Sequence, residues 1–391
     1  MQKELNKPSV LFIASNIPTP KRQSNKVVMT IAHKLSQQFD ISVLYPAEWV
    51  PFPFNLMKKY RNIARKQPWE DAGIVIKPFK YIRLFGKKNA FRLLPHYKTK
   101  LQRLFQQHSI PDVVHAHYAL PDGYLAFLIN KIYHVPYIIS FRKSDIGFLN
   151  LAQGSNTRKL MEEVLTHAKH IIVHNSAQQE VLSNAGFKSI LMAHGIEEDF
   201  FKPKESVNNT DDIAIASVGE LIPQKHIDWV IKAVMEYKGS KNPTLKIAGE
   251  GPMRTELEAL TNGASNIQLL GKIAHDKVGE LLCQSDIFAL PSINETFGLV
   301  YLEAAAHQNA VIATKGTGIW GHFTNDEEMF YCDSYTSFKE MLYKLIDNDD
   351  YRNQMASKAF IKTRENFTWN AVIDQYVSLY RSLLTSSESI E

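Results

Sequence analysis

The clearest chemical potential in this chain lies in two glutamates. Glu295 and Glu303 fall within residues 285–318, SDIFALPSINETFGLVYLEAAAHQNAVIATKGTG, with seven residues between them. A carboxylate accepts two hydrogen bonds side by side, a match for the vicinal hydroxyls of a sugar or a ribose. Around the pair the sequence reads as an apolar run at 286–291, a polar turn at 292–295 and a helical segment at 296–308. A second apolar run follows at 310–313, then Gly316 and Gly318. Short β-rich runs flanking a helical one predict a βαβ unit with a buried parallel sheet. Ligands bind such units where strand gives way to helix, because helix N-terminal N–H groups point outward and favour anions. Here that position is Asn294 to Gly298, and Gly298 leaves the backbone open to a phosphate. Eight steps along one helix are expected to place the carboxylates on different faces, so they converge only if Glu295 bends back over the helix start. A solvated glutamate on an amphipathic helix, with another complementing the helix dipole, competes with this and stays open from spacing alone.

Length and composition bound the setting. A chain of 391 residues predicts two domains, each large enough for its own core. Hydrophobic content of 45% and charged content of 22% are ordinary for a globular protein. Cys283 and Cys332 give no disulfide framework and suit a reducing compartment. No apolar run approaches the roughly 18 residues of a membrane span, and VLFIA at 10–14 is too short for a signal-peptide core. A cytoplasmic location is expected. Charge is segregated: residues 1–204 carry 29 basic and 14 acidic side chains, net +15, whereas 205–391 carry 16 and 26, net −10. The first half should therefore meet something anionic. No nucleic-acid motif is recognisable, so a membrane surface or a phosphorylated lipid is the expected partner.

The elements that must position the glutamates follow from the rest of the chain. Residues 8–46 read strand, loop, helix, strand, with Val27, Ile31 and Leu35 on one helix face. Residues 47–105 interleave aromatics (Trp49, Phe52, Phe54, Tyr60, Phe79, Tyr81, Phe85, Phe91, Tyr97) with cations such as Lys58, Lys59, Arg61, Lys87, Lys88 and Arg92. This pattern predicts a surface that touches acidic lipid; aromatics filling a domain core are the alternative. Residues 111–146 read strand, turn, helix, strand. His115 and His117 are expected on opposite sheet faces, and no shared metal ion is expected. A helix, HIIVHNSA, a short helix at 178–185 and SILMAHGIEEDFFKP complete the first half, and the polar run 204–212 reads as a linker. The second half opens with a strand, a turn at Gly219 and an amphipathic helix starting near His226. LKIAGEGPMRTELEAL then gives a strand, a turn containing Gly249 and Gly251, and a helix. A tight turn is sufficient reason for that GxG.

ETFGLVYLEA at 295–304, preceded by LPSIN and followed by an alanine-rich turn and VIAT, resembles the E-x7-E signature of retaining, nucleotide-sugar-dependent glycosyltransferases of family 4 (group 1). The resemblance implies an α/β fold of GT-B type, two Rossmann-like domains with parallel sheets facing across a cleft. The implied domains are 1–204 for the acceptor and 205–367 for the nucleotide sugar. FTWNAVIDQYVSLYRSLL resembles the family's terminal helix, so 368–391 should cross back to the first domain. VGELIPQK resembles the Val-Gly-Arg-Leu-x-x-x-Lys-Gly segment that holds the donor diphosphate. Lys225 takes the lysine position, but Glu220 stands where arginine is usual. Arg142-Lys143-Ser144-Asp145 resembles the His-Gly-Ser-Asp turn beside the transferred sugar, with cations at the first two positions that imply an anionic acceptor or donor. The loop after the first strand lacks the family's glycines, leaving Lys21 or Arg22 as substitutes. His194-Gly195-Ile196-Glu197, with Phe200 and Phe201, resembles the hinge motif Asn-Gly-(Val/Ile)-Asp.

By this resemblance Glu303 binds the ribose, Glu295 holds the donor sugar, Lys225 meets the diphosphate and Arg142 stands beside the sugar. Backbone at Phe297, Gly298 and Leu299, with Gly219, Gly249 and Gly251, would surround the nucleotide, and Gly271 and Lys272 its base. No metal and no cofactor beyond the nucleotide sugar is expected. Family habit suggests a uridine donor, a glycan or lipid-linked acceptor in bacterial surface polysaccharide or glycolipid synthesis, and peripheral contact of region 47–105 with the inner face of the cell membrane. The rivals are a catalytically silent GT-B protein in an assembly complex, a GT-B sugar-nucleotide epimerase or phosphorylase, and a nicotinamide-dependent enzyme. The last is opposed by the lack of GxGxxG after the first strand.

Overall fold

Runs such as VLFI in Ser9–Ile13 and AVIA in Ala310–Thr314 are continuously apolar rather than alternating. Only a sheet covered on both faces can bury them. The computed structural model describes residues 7–19, 26–49, 67–202 and 211–388. They divide into two α/β units. One comprises the chain as far as Val173, Gln178–Leu191 and the residues from Ile373 onward; the other comprises His174–Ala177 and Met192–Val372.

The first unit holds β1 (Ser9–Ile13), β2 (Asp40–Trp49), β3 (Trp69–Asp71), β4 (Ile74–Ile82), β5 (Val113–Ala116), β6 (Tyr137–Ser140), β7 (His170–Val173) and β8 (Ile190–Leu191). Their order is β3-β4-β2-β1-β5-β6-β7-β8, and only the β3–β4 hairpin is antiparallel. Strand order reverses at β1 and β5. The core between sheet and helices includes Leu11, Ile13, Val114, Tyr137, Leu125 and Val164. Phe79, Tyr81 and Phe91 also belong to it, so those aromatics of the 47–105 region fill the core, while Phe85 is 62% exposed. Phe52, Phe54, Tyr60, Lys58, Lys59, Arg61, Lys21 and Arg22 lie outside the described residues, as does most of the 204–212 stretch. From the helix Trp369–Glu388, Tyr376 and Tyr380 are buried in this unit, and the Tyr380 hydroxyl lies 2.6 Å from Nδ1 of His115.

One expectation about this unit is corrected. His115 and His117 do not face opposite ways: their rings stack with centroids 4.1 Å apart. A strand repeats every two residues, so positions i and i+2 share a face. The Phe12 ring packs against both.

The second unit holds β9 (Asp212–Val218), β10 (Asn242–Ala248), β11 (Ile267–Gly271), β12 (Ile287–Ala289), β13 (Ala310–Thr314) and β14 (Phe330–Cys332). All pair in parallel, in the order β11-β10-β9-β12-β13-β14. This is the doubly wound order whose reversal, here between β9 and β12, opens a ligand crevice beyond the strand C-termini. The helix after β12 is shorter than the sequence suggests, Leu299–Ala306. Gly298 at φ +81° cannot sit within a helix, and Gln308 at φ +52° ends it. Gly195 of the hinge-like motif has a local reason: a Cβ there would stand 2.7 Å from the Trp369 backbone.

Candidate functional site

Two loops leave the reversal point of the second sheet, and both carry candidate residues. Ser217 Oγ donates to the Ala289 carbonyl oxygen at 2.7 Å, joining β9 to β12 beneath them. The turn after β9, Pro223–Lys225, offers the Gln224 carbonyl oxygen to the Ile293 N–H at 2.9 Å and to Ser292 Oγ at 3.3 Å. The two loops therefore run side by side, and Lys225 meets Glu295 in a short ion pair, each side chain 16% exposed. Burial pulls the Lys225 ammonium below the usual lysine range, while Glu220 opposes that. Thr317, after β13, fixes Glu295 from behind: its Oγ1 accepts from the Glu295 N–H at 3.0 Å and donates to the Glu295 carbonyl oxygen at 2.8 Å.

Phe297, Gly298 and Leu299 lead from this pair into the helix Leu299–Ala306. Phe297 is buried and surrounded by imidazoles, with the rings of His194 and His322 at 4.9 and 5.4 Å. His194 in turn packs on His174, whose carbonyl oxygen bonds His322 Nε2 at 2.9 Å. Burial pushes the His322 imidazole down to about 4.

The glycines at the other strand ends are required by backbone crowding. A Cβ on Gly249 would lie 1.8 Å from the Gly219 carbonyl oxygen, and one on Gly251 would lie 2.3 Å from that of Leu221. Gly219 itself lies beside the Lys225 stem. Lys272, just past β11, is exposed, as is Glu220. Arg254 is engaged with Glu250 at 2.6 Å and Glu258 at 2.8 Å.

Glu303 lies deeper, with a side chain 10% exposed. Burial raises its carboxyl above the usual range, and His275, 3.4 Å from Oε1, pulls it back. His307 Nδ1 lies 2.8 Å from the Glu303 carbonyl oxygen. Sequence reasoning missed His275 and Thr317. The signal for Thr317 was available in the TKGTG turn after β13; for His275 there was none, since its meaning depends on the neighbour it touches.

Arg142 belongs to the first unit, at the C-terminal end of β6. It is 5% exposed, and its Nε donates to the His117 carbonyl oxygen at 3.4 Å. Asp145 caps the helix Lys143–Leu149 by accepting from the N–H groups of Arg142 at 2.8 Å and Ala119 at 3.2 Å. Burial raises the Asp145 carboxyl to about 7, and burial raises Asp122 well above its usual value. Asp122 accepts from the Ser15 N–H at 3.0 Å, bridging the loops after β1 and β5. The guanidinium is thus seated among Tyr118, Tyr376, Asp122 and Asp145.

Two parallel α/β units with candidate residues at a strand-order reversal define a GT-B protein, and comparison with known sequences gives the family. A family profile described as Glycosyltransferase Family 4 matches residues 24–199, and one described as Glycosyl transferases group 1 matches residues 198–361. The chain belongs to the family 4, group 1 glycosyltransferases, and is a glycosyltransferase. It is similar to an uncharacterized glycosyltransferase of Methanocaldococcus jannaschii, 26% identical over 70% of this chain and 76% of the relative. It is also similar to TuaC of Bacillus subtilis, ascribed to teichuronic acid biosynthesis, 24% identical over 82% of this chain and 84% of the relative. In fold it resembles HepE from Anabaena, solved in complex with UDP, with a TM-score of 0.67 at 15% identity, covering 96% of this chain and 100% of that one.

Proposed function

We propose that the protein transfers a hexosyl group from a nucleoside-diphosphate sugar, a uridine one in the first instance, to a hydroxyl of a lipid-linked or oligosaccharide acceptor, retaining anomeric configuration and using no metal or other cofactor. The observation that carries this reading is the meeting of Lys225 and Glu295 at the reversal point, on the loop that opens the helix bearing Glu303. The donor diphosphate takes Lys225 from Glu295 and lies against the N-terminus of helix Leu299–Ala306, whose dipole and N–H groups favour the leaving charge. Released from the lysine, Glu295 holds the donor sugar hydroxyls and orients the anomeric carbon. Glu303 takes the ribose hydroxyls. A donor phosphate oxygen accepts the proton of the attacking hydroxyl, so no protein base is needed. Arg142 serves an anionic group on the acceptor or donor.

UDP in HepE supports the uridine preference, and the ascription of TuaC supports a role in building a bacterial surface polysaccharide or glycolipid. Among the described residues no helix is long and apolar enough to cross a membrane. Phe85, exposed beside exposed Lys87, Lys88 and Arg92, supports peripheral docking on the inner face of the cell membrane. The test is calorimetric titration of the native protein and Glu303→Ala with UDP and GDP. Micromolar binding of one nucleotide, lost in the variant, is the expected result; binding of neither overturns the donor site. A panel of nucleotide sugars with NMR of the product anomer then tests transfer and retention.

A further inference from the structure

The carboxylate of Glu303 is not presented to solvent directly. His275, the first residue of the helix His275–Cys283, places Nε2 3.4 Å from Oε1 while its own side chain remains 70% exposed. The Phe200 ring meets His275 edge to face at 5.2 Å and also reaches His307 at 6.1 Å. His307, fully buried, is bound in turn to the Glu303 carbonyl oxygen at 2.8 Å. One imidazole from a separate helix thus meets the Glu303 carboxylate, with Phe200 packed against it, while His307 holds the Glu303 backbone.

We propose that His275, steadied by Phe200, is a positioning residue for the nucleoside subsite: it holds one oxygen of Glu303 in place so that the carboxylate reads the ribose diol as a bidentate acceptor. This rests on the assignment of Glu303 to the ribose. Physically, a buried carboxylate must stay ionised to accept two hydroxyl protons at once, and a nearby imidazole that donates or is charged favours that form. Restricting the carboxylate to one orientation also lowers the entropy lost when the ribose binds. Of the titratable and charged groups nearby, His275 acts on the Glu303 carboxylate, whereas His307 meets the Glu303 backbone carbonyl and is itself acted on by Lys202.

The test compares UDP with 2′-deoxy-UDP by calorimetry on native protein, Glu303→Ala, His275→Ala, His275→Gln and Phe200→Ala at pH 6 and pH 8. Native protein should prefer UDP, and His275→Ala should lose about tenfold in UDP affinity, the scale of one charge-assisted hydrogen bond, together with most of the preference. His275→Gln, which keeps a donor, should restore the preference. Phe200→Ala should show a smaller loss in the same direction. Without the imidazole the Glu303 carboxyl protonates more readily, so His275→Ala should weaken further at pH 6 than native protein does. His275→Ala behaving like native protein at both pH values, while Glu303→Ala loses the preference, overturns the role of His275 and leaves Glu303 standing. Glu303→Ala binding both nucleotides like native protein overturns the ribose assignment itself, and the inference with it. Near-ultraviolet circular dichroism on each variant separates misfolding from lost binding.

Discussion

At the scale of single residues, the pairing of Lys225 with Glu295 has an unusual consequence. On the proposed roles, the cation that would meet a diphosphate is held by the carboxylate that would meet a sugar, so donor binding would exchange one partner for the other. Glu295→Gln removes the competitor and should tighten UDP binding about fivefold, within the range of a partly exposed ion pair. The same change removes a charged contact to the reacting sugar and should slow transfer about a hundredfold. Titration and initial-rate measurements on one preparation would check both, and weaker UDP binding in the variant would show that the pair does not compete. Glu220 adds a second negative charge at this point. Glu220→Arg restores the cation usual at that position and should tighten UDP binding about tenfold at low salt, with less effect as salt screens it. The E-x7-E residues were legible from their types and the sequence that flanks them, since spacing alone left a solvated pair open. His275 was not, because an exposed histidine at a helix start means nothing until Glu303 is seen beside it.

At the scale of elements, strands that are apolar runs bounded by turn residues were legible, such as β1, β5, β12 and β13, whereas β3 and β4 lay unread in the aromatic and basic region and β14 beyond the recognised pattern. Boundaries were less so: Gly298 and Gln308 set the helix between them by backbone angle rather than by hydrophobic pattern. The relation of His115 to His117 follows from strand period, and reading it the other way hid a stacked pair that packs on Phe12. The GxG turn shows how packing and ligand approach can ask for the same residue. Gly251→Ala should destabilise the fold by about 1–3 kcal/mol, because its methyl meets the Leu221 backbone, which cannot yield as a side chain would. Chemical denaturation would show this without any ligand. The loop bearing Phe297 is framed by His322, and this gives a pH dependence with a definite sign. Burial holds the His322 imidazole at about 4, with Lys362 adding to the effect, whereas in the unfolded chain it titrates near ~6.5. Between those values the unfolded state binds a proton that the folded state does not, so acidification through that window removes stability. His322→Gln lacks this term. Its deficit relative to native protein should narrow by about 2 kcal/mol from pH 7 to pH 4.5, measured as denaturation free energy. A deficit that is constant with pH would show that His322 is not held neutral.

At the scale of the whole molecule, the distribution of charge matters more than its total. A net of +5 conceals +15 on residues 1–204 and −10 on residues 205–391, and under the proposed docking it is the basic half that would be drawn to an anionic surface. Among the described residues one place where charge and apolar exposure coincide is the turn after β4: Phe85 is exposed there, Lys87, Lys88 and Arg92 close by in sequence are exposed too, and Tyr81 and Phe91 are committed to the core. Phe79, Tyr81 and Phe91 of the aromatic region are thus structural, whereas Phe85 is exposed, and under the proposed docking it is the ring that enters the lipid interface. Each cation near an acidic membrane contributes about 1 kcal/mol, so Lys87→Ala with Lys88→Ala should weaken binding to phosphatidylserine-containing vesicles about 30-fold. Phe85→Ala should weaken it further, by up to about 2 kcal/mol for a fully buried ring. Raising salt should release the native protein from the vesicles while sparing transfer to a water-soluble acceptor, because exposed charges are screened over about 8 Å at physiological ionic strength. Co-sedimentation at several salt concentrations measures the first effect and product formation the second. Equal binding to neutral and acidic vesicles would rule out electrostatic docking, and the basic surface would then have to be assigned to the acceptor itself.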